Sequence, residues 1–343
     1  MDDGTIKRKF EETCFDCRWY EWQNPDCINY DGTSFDHYWN IGRIENRDPS
    51  SMIDMTRFDN TLGQYFDRKY YSSMLVNKPI GRSFGVYKTW EDLKKSQFEY
   101  NSTLSTRFLK YSENKPKEFL VYVQAGPGSL HTQWYDRYAA NYDLMLNYYN
   151  IQGCDYSDGD YVISQKGTKF TSIARLLESH WEIFEKYQYV FFLDDDIYLS
   201  TDSINHMFEV CKSNNLAAAQ PSLSKNSHCV WDVFYSAGNS VRYVNGVEIM
   251  MPVLSRQSLE DSFDIWRQSV SGFGLDLLIG KKLAECGGRI AVIDSVEADH
   301  LKPIDDKTGA YYDNMRSNMI NPKAELWFLA TTNDLDLKFE EVA

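Results

Sequence analysis

The sequence has little positive charge for its size, and this limits the classes of partner. It contains 36 Lys and Arg residues against 50 Asp and Glu residues, a formal net charge of -14 at pH 7. Such a surface repels polyphosphate backbones, so nucleic acid is not expected as a main partner. A small anionic substrate would need a local cation, a role that a bound divalent metal can fill.

Long apolar runs are also missing. No stretch approaches the roughly 18 consecutive apolar residues of a membrane span. The first residues, Met1–Gly4, do not begin the basic, apolar and small-residue pattern of a signal peptide. We therefore expect a soluble, cytoplasmic protein without a membrane span.

A regular cysteine framework is absent as well. The seven cysteines form an odd, scattered set: Cys14, Cys17, Cys27, Cys154, Cys211, Cys229 and Cys286. This set does not indicate a disulfide scaffold. The first three, with His37, have the residue types of a zinc site, but their spacing is not a standard one and no second Cys-x-x-Cys follows. Reduced thiols are the favoured interpretation.

The chain contains no repeat, and its character changes near residue 116. Residues 1–115 are rich in Tyr, Trp, Asp and Asn and show no regular strand or helix pattern, so we interpret them as an accessory region of unknown role. Residues 116–305 alternate between strand and helix patterns. Residues 306–343 are expected to be an extension that packs on this domain.

The alternation predicts an α/β domain with a mostly parallel sheet and helices on both faces. Strands are expected at residues 119–123, 142–149, 161–163, 189–193, 216–220 and 289–293, and helices at 170–184, from Thr201, at 258–268 and at 275–286. Pro221 is expected to stop the fifth of these strands. Asn245-Gly246 is typical of a β-hairpin turn.

Asp194, Asp195 and Asp196 directly follow the apolar strand Tyr189–Leu193. Three carboxylates at the end of a buried strand repel one another, and a divalent cation removes the conflict. Oxygen ligands favour Mg²⁺ or Mn²⁺, which share their coordination with substrate phosphates. The alternative is an acidic helix start before Ile204, but a helix cap needs one carboxylate rather than three. The metal site is the favoured interpretation.

Ligands of open α/β sheets bind at the carboxyl ends of the strands, where the acidic triplet lies. The turn Gln124–Ser129, which follows the first strand, belongs to the same edge. Gln124 and Gly126 are therefore candidates for contact with a nucleotide. This turn lacks the Gly-rich phosphate fingerprint, so an ordinary strand-to-helix turn remains the alternative.

The run Tyr189–Asp196, "YVFFLDDD", resembles the D-x-D motif of GT-A glycosyltransferases. Its surroundings resemble the domain of unknown function 707 family over about residues 119–303. The segments that carry this second resemblance are Gln220–Leu223, Asn245–Arg256, Gly274–Asp276 and Ile293–Ser295, with His300 after them.

This resemblance implies a GT-A fold and a nucleotide-sugar donor whose diphosphate lies on Mn²⁺ or Mg²⁺. A UDP-sugar is favoured, a GDP-sugar is the alternative, and the acceptor would be a glycan or another hydroxyl compound. Asp194 would face the ribose or the metal, with Asp195 beside the donor. Asp196 would ligate the metal, and His300 would complete the coordination or be an ordinary surface group.

Two further carboxylates are candidate catalytic residues. The resemblance places Asp276 where inverting enzymes keep a general base, whereas its alternative role is to stabilise the first turn of a helix. Glu248 lies in an apolar segment, where an unpaired charge is costly. It would contact a substrate sugar or lie on the solvent face of a hairpin.

Two cations and two aromatic residues complete the candidates. Lys169 and Arg175 would contact the diphosphate or be solvated helix cations. Trp266 and Phe273 would form a wall for a sugar ring or pack in the core.

Three other functions stay open at this point. They are a phosphatase of the haloacid-dehalogenase type, a nucleotidyltransferase using the same metal chemistry, and a non-catalytic carbohydrate-binding protein. The phosphatase is disfavoured because Tyr198 stands where that class has Thr or Val. The donor sugar, the acceptor, the stereochemical outcome and the oligomeric state have no signal in the sequence.

Overall fold

The computed structural model describes residues 8, 12, 15–45, 47–50, 90–149, 158–302 and 310–342. The chain divides into two compact units. One comprises Met1–Phe98 with Gly309–Phe328, and the other comprises Glu99–Thr308 with Leu329–Ala343.

The first unit contains a small aromatic core. Its helices α1 (Cys17–Gln23) and α2 (Ser34–His37) contribute Tyr20 and Phe35 to this core. His37 does not join the nearby thiols, because its Nδ1 lies 2.9 Å from the Tyr20 hydroxyl and its Nε2 faces Asp26 at 3.6 Å. The zinc ligand set that we considered is therefore not assembled here, and its first member, Cys14, lies outside the described residues.

The second unit is built on a mixed sheet, which has nine strands in the described part of the chain. Their order is β1-β4-β3-β2-β5-β8-β6-β9-β7. The strands are β1 (Arg107–Lys110), β2 (Phe119–Ala125), β3 (Tyr142–Tyr148), β4 (Tyr161–Ser164), β5 (Tyr189–Asp194), β6 (Ala218–Leu223), β7 (Arg242–Tyr243), β8 (Val253–Ser255) and β9 (Ile290–Ala298). The α/β class predicted from the sequence is confirmed.

Six strands of this sheet run in one direction. Strands β4, β3, β2 and β5 pair in parallel, and β6 pairs in parallel with β9. Strand β8 lies between β5 and β6 and is antiparallel to both. Strands β2, β3 and β5 are buried on both faces, which explains why their sequences are mostly apolar. The carboxyl ends of the six strands therefore share one edge.

Helices join these strands. The described helices after α2 are α3 (Trp90–Ser102), α4 (His131–Trp134), α5 (Lys169–Ser179), α6 (Trp181–Phe184), α7 (Thr201–Ser213), α8 (Arg256–Asp261), α9 (Leu275–Glu285), α10 (Ala310–Ser317) and α11 (Pro322–Asn333). The helix predicted over 170–184 is two helices that meet at His180. Within the described ranges, no helix combines the length and the apolar character needed to span a membrane.

Three local predictions were wrong. Pro221 does not stop β6, which continues to Leu223 with a register shift against β9 just after the proline. The residue that caps α7 is Ser200 rather than Thr201, because the Ser200 side chain accepts from the Ser203 amide. Asn245-Gly246 does not join a hairpin, since β7 pairs with β9 while β8 pairs with β5 and β6.

Candidate active site

The acidic triplet lies at the shared edge of the sheet. Asp194 is the last residue of β5 and pairs in register with Gln124 of β2, which in turn pairs with Asn147 of β3. Asp195 and Asp196 follow in a turn. The strands therefore place Asp194 and Gln124 side by side, as the parallel arrangement predicted.

Each carboxylate of the triplet has a different partner. The Asp194 Oδ1 lies 2.5 Å from the Lys169 Nζ. The Asp195 Oδ2 accepts from the Gly126 amide at 2.8 Å, which ties the triplet to the turn after β2. The Asp196 Oδ2 lies 3.9 Å from the His300 Nε2. The three side chains thus point to three sides of the site.

The electrostatic environments of these carboxyl groups also differ. Burial raises the pKa of Asp194 and raises the pKa of Asp195 to about 6. Burial acts in the same sense on Asp196, but the neighbouring His300 and Lys302 together outweigh it and lower the pKa of that carboxyl. Asp196 is therefore the member of the triplet that stays ionised most readily.

Lys169 is the first residue of α5 and is 6% exposed. Besides Asp194, its Nζ donates to the carbonyl oxygens of Ile249 and Met250, at 2.6 and 3.0 Å. An ammonium group has three protons, and three acceptors surround this one. Lys169 therefore connects β5, which ends at the candidate metal ligand Asp194, to the segment that follows Glu248. Its role as a diphosphate contact stays a prediction.

Two hydrogen bonds hold Glu248, one with the side chain of Gln220 in β6 and one with the backbone amide of Met250. Its amide donates to the Gln220 Oε1 at 2.7 Å, and its Oε2 accepts from the Met250 amide at 2.7 Å. Burial raises the pKa of Glu248 to about 7, and the negative charge of Asp194 acts in the same direction. Glu248 lies in an irregular segment rather than on the hairpin that we expected.

Asp276 lies in the first turn of α9 and its Oδ1 accepts from the Leu277 amide at 2.9 Å. The helix starts after Gly274, whose φ of +83° favours glycine. Burial raises the pKa of Asp276 to about 7, and the charge of Glu248 adds to this effect. A carboxyl group with this pKa can accept a proton near neutral pH.

His300 follows β9 and is oriented by the segment after β6. Its amide donates to the Ser227 Oγ at 2.9 Å, and its Nδ1 lies 2.8 Å from the His228 carbonyl oxygen. A carbonyl only accepts, so Nδ1 carries a proton and, in the neutral ring, Nε2 presents its lone pair toward Asp196. This arrangement is typical of a histidine that ligates a metal.

The two candidates on the first turn are in different environments. Gln124 is engaged beneath the turn, where its Nε2 donates to the Gly167 carbonyl at 2.9 Å. Gly126 presents its amide to Asp195, and its Cα lies against the hydroxyl of Tyr149, where a Cβ would not fit.

Most of the predicted site residues share one electrostatic environment. Asp194 raises the pKa of Glu248, whereas Lys169 and His300 lower it. Glu248 in turn raises the pKa of Asp276. Arg175 instead donates to the Asn101 carbonyl at 2.6 Å. Among the described residues, no group of three or more His, Cys, Asp or Glu side chains is arranged to hold a metal ion by itself.

Of the two roles left open for Trp266, a wall for a sugar ring or packing in the core, the structure shows core packing. Trp266 is 1% exposed and packs against Phe192 inside the core, with 5.4 Å between the ring centroids. A side chain in that position has no face left for a sugar ring.

Sequence reasoning did not assign a role to the residues that orient the site. Gln220 and Ser227 act through hydrogen bonds to the backbone of Glu248 and His300, and His228 acts through its own carbonyl. The one available signal was Gln220, a fully buried amide in an otherwise apolar strand.

Three solved structures are similar to this chain at low identity. They are "Crystal structure of GalNAc-T7 with UDP, GalNAc and Mn2+" (11% identity, TM-score 0.42, covering 70% of this chain and 58% of that chain), "Crystal structure of S. aureus TarS 1-349 in complex with UDP-GlcNAc" (11%, 0.36, 57% and 60%) and "Crystal Structure of A197 from STIV" (13%, 0.31, 53% and 84%). The chain thus spans less than two thirds of the first two proteins. No curated protein matches it in sequence.

A family-level match supports the sequence-based resemblance. Residues 94–246 match the family described as "Protein of unknown function (DUF707)". The match begins before β1 and ends at the Asn245-Gly246 turn, so it includes the acidic triplet and Lys169. The match covers less than half of the chain, and it shows that residues 94–246 are similar to this family.

Proposed function

We propose that this chain is a glycosyltransferase that moves a sugar from a nucleotide-sugar donor to the hydroxyl group of a glycan or another acceptor. The observation that carries the proposal is the pairing of Asp196 with His300 beside two half-buried carboxyl groups, Glu248 and Asp276. Asp196 and His300 suit a site for an anionic leaving group, and Glu248 and Asp276 suit proton transfer.

The residues present fit a divalent ion. Asp196 and His300 would hold it, with Asp194 adjoining, because a carboxylate oxygen and an imidazole nitrogen are ligands that Mn²⁺ accepts. The ion, Mn²⁺ or Mg²⁺, would supply positive charge for the diphosphate. The orientation of His300 by the His228 carbonyl supports this assignment, since metal-bound histidines commonly donate their other N–H to such a group.

The protein's own groups would carry the remaining tasks. Asp276 accepts the proton of the acceptor hydroxyl, because its raised pKa keeps the carboxylate basic near pH 7. Glu248 orients a hydroxyl of one of the two sugars. Gly126, Gln124 and Asp195 border the nucleotide, for which a UDP-sugar is the first donor to test and a GDP-sugar the second. The sheet-bearing unit, within which we predicted a catalytic domain at 116–305, contains all of these residues.

A donor-hydrolysis assay tests this proposal. The full chain is incubated with a panel of UDP- and GDP-sugars, with Mn²⁺, with Mg²⁺ or with a chelator, and the released products are separated. Release of UDP or GDP that requires the metal supports the proposal. In parallel incubations, free phosphate from a sugar phosphate would instead identify a phosphatase, and pyrophosphate from a nucleoside triphosphate with a sugar 1-phosphate would identify a nucleotidyltransferase. Thermal stabilisation by a nucleotide sugar without turnover would identify a binding protein.

A further inference from the structure

Residues Lys338–Val342, which we call the tail strand, run beside the segment that leads to Glu248. The Val342 amide donates to the Tyr243 carbonyl at 3.0 Å, and the Asn245 amide donates to the Glu340 carbonyl at 3.1 Å. Val244 and Glu341 form an antiparallel bridge between these two bonds. The tail strand thus extends the edge of the sheet beyond β7.

Asn245 fixes this strand with its side chain as well. Its Nδ2 donates to the Lys338 carbonyl at 3.1 Å, and its Oδ1 accepts from the Glu340 amide at 2.9 Å. Both ends of the side-chain amide are therefore committed to the backbone of the tail strand. Such a two-sided contact specifies the register between residue 245 and residues 338–340.

Phe339 supplies the apolar part of the contact. It is buried, and its ring lies 4.9 Å from that of Phe234 and 5.2 Å from that of Trp231. The same ring lies over Gly246, where an added Cβ would be 2.8 Å from the Phe339 Cε1. The Asn245-Gly246 turn is therefore held on one side by the tail strand.

On its other side the turn carries helix α9. A Cβ on Gly280 would lie 2.5 Å from the Asn245 carbonyl oxygen, so only glycine permits this approach. Asp276 lies four residues before Gly280, on the same face of the helix. Glu248 lies two residues after Gly246. One turn thus sets the positions of both candidate catalytic carboxyl groups.

We propose that the tail strand is a positioning element of the active site, which fixes Glu248 and Asp276 relative to each other through the Asn245-Gly246 turn. This inference rests on the proposed function for its catalytic consequence. Its physical content, the ordering of residues 245–250, does not need that function. Neither Asn245 nor Phe339 touches the groups to which we assign chemistry.

The experiment uses the full chain with Asn245→Ala, Phe339→Leu and Phe339→Ala, and with Lys338→Gln as the matched control on an exposed side chain of the same strand. Because a misplacement of about 1 Å can cost about 10²-fold in rate, we expect kcat to fall at least about tenfold in Phe339→Ala. The donor KM should change less than about twofold, since Asp196 and His300 lie on other elements. Lys338→Gln should match the wild type.

Hydrogen exchange at the amides of Glu248 and Met250 is the second measurement, and it requires no activity. We expect faster exchange in Asn245→Ala and Phe339→Leu, which retain most of the packing, and no change in Lys338→Gln. Unchanged exchange at these amides would overturn the inference, whatever the activity. A wild-type kcat in both variants, with faster exchange, would equally overturn the catalytic role. Inactivity of the wild type with every donor would instead count against the proposed function alone.

Discussion

Two ion pairs in the sheet-bearing unit differ in how completely their charges are matched. Arg242 and Asp294 form a bidentate pair with two N–O distances of 2.9 Å, and both side chains are at most 5% exposed. The remaining Arg242 protons reach the carbonyls of Val233 and Tyr235 and the carboxylate of Glu341. Every group of this pair has a partner within the protein.

The pair of Lys169 and Asp194 lies in a different setting. Its ammonium group is also saturated, but the Asp194 carboxylate interacts with the further negative charge of Asp195, Asp196 and Glu248. Hydrogen bonds hold the first pair, and its two buried charges balance, because the additional carboxylate of Glu341 is 58% exposed. The second leaves carboxyl groups with raised pKa values at a sheet edge. Matched charge is typical of a structural pair, whereas excess charge of one sign is typical of a site that takes up a ligand.

The largest effect is expected on the unbalanced side, from Asp196→Ala. Without this carboxylate the ion that would neutralise the donor diphosphate loses a ligand, so metal-dependent donor turnover should fall about 10⁴-fold, equivalent to about 5 kcal/mol of transition-state stabilisation. The fold should stay intact with a small decrease in melting temperature, because the lowered pKa of Asp196 means that its ionised form is stabilised by His300 and Lys302. Activity and thermal unfolding are compared with those of Asp264→Ala, which alters an exposed carboxylate. Turnover at the wild-type rate would remove Asp196 from the mechanism.

The next effect is expected on the balanced side, from Arg242→Met. Removing one partner leaves Asp294 buried without its counterion, which typically costs about 3–5 kcal/mol of unfolding free energy. Urea unfolding of the variant measures this loss. Arg267→Met, which breaks a pair between exposed side chains of Arg267 and Glu178, should cost at most about 1 kcal/mol. Equal losses of unfolding free energy in Arg242→Met and Arg267→Met would contradict the expected difference between a buried and an exposed ion pair.

The same contrast explains how much of the fold followed from the sequence. Strands β2, β3 and β5 were predicted because burial on both faces leaves a mostly apolar run that is visible in the local sequence. The turn at Asn245-Gly246 was misassigned as a hairpin because the dipeptide itself is typical of hairpin turns. The strands on either side of it pair with distant parts of the chain, which the local sequence does not show. Strand β7 pairs with β9, and the tail strand lies about 95 residues further along the chain.

The candidate site divides in the same way. Asp194, Asp195 and Asp196 were recognisable because adjacent carboxylates after an apolar strand carry their chemical meaning in sequence. Gln220 and Ser227 were not, because they act on backbone groups of residues 28 and 73 positions away. Such contacts depend on the register of the sheet, which a single sequence does not reveal.

The third prediction concerns the pH dependence of the unbalanced cluster. With the pKa of Asp276 raised to about 7, the base is protonated below that pH, so kcat/KM should rise as the pH passes through about 7. Asp276→Asn should lower kcat/KM about 10²-fold at pH 8 and abolish this rise. The measurement is a pH–rate profile between pH 5 and pH 9, with roughly constant ionic strength.

Glu248→Gln sharpens this test through the coupling of the two carboxyl groups. The substitution deletes the negative charge of Glu248, which raises the pKa of Asp276, so the rise in kcat/KM should move to lower pH. Both pKa values are raised in the folded state, so their ionisation lowers stability as the pH rises from about 4 to about 7. Each variant should flatten that decline. A profile of Asp276→Asn with its wild-type midpoint would exclude Asp276 as the base.

The smallest effect is expected from Lys302→Met. The Lys302 Nζ lies 3.4 Å from Asp196, close to the centre of the proposed chemistry, but its side chain is 73% exposed. Water and salt screen such a pair, so the variant should lose at most about 1 kcal/mol of unfolding free energy and less than about fivefold in kcat/KM. Activity and thermal unfolding of Lys302→Met are measured beside those of Lys169→Met, which removes a buried cation with three acceptors and should be far more damaging. If Lys302→Met is the more harmful of the two, proximity to Asp196 rather than burial decides how important a cation is at this site. That result would contradict the distinction between matched and unmatched charge.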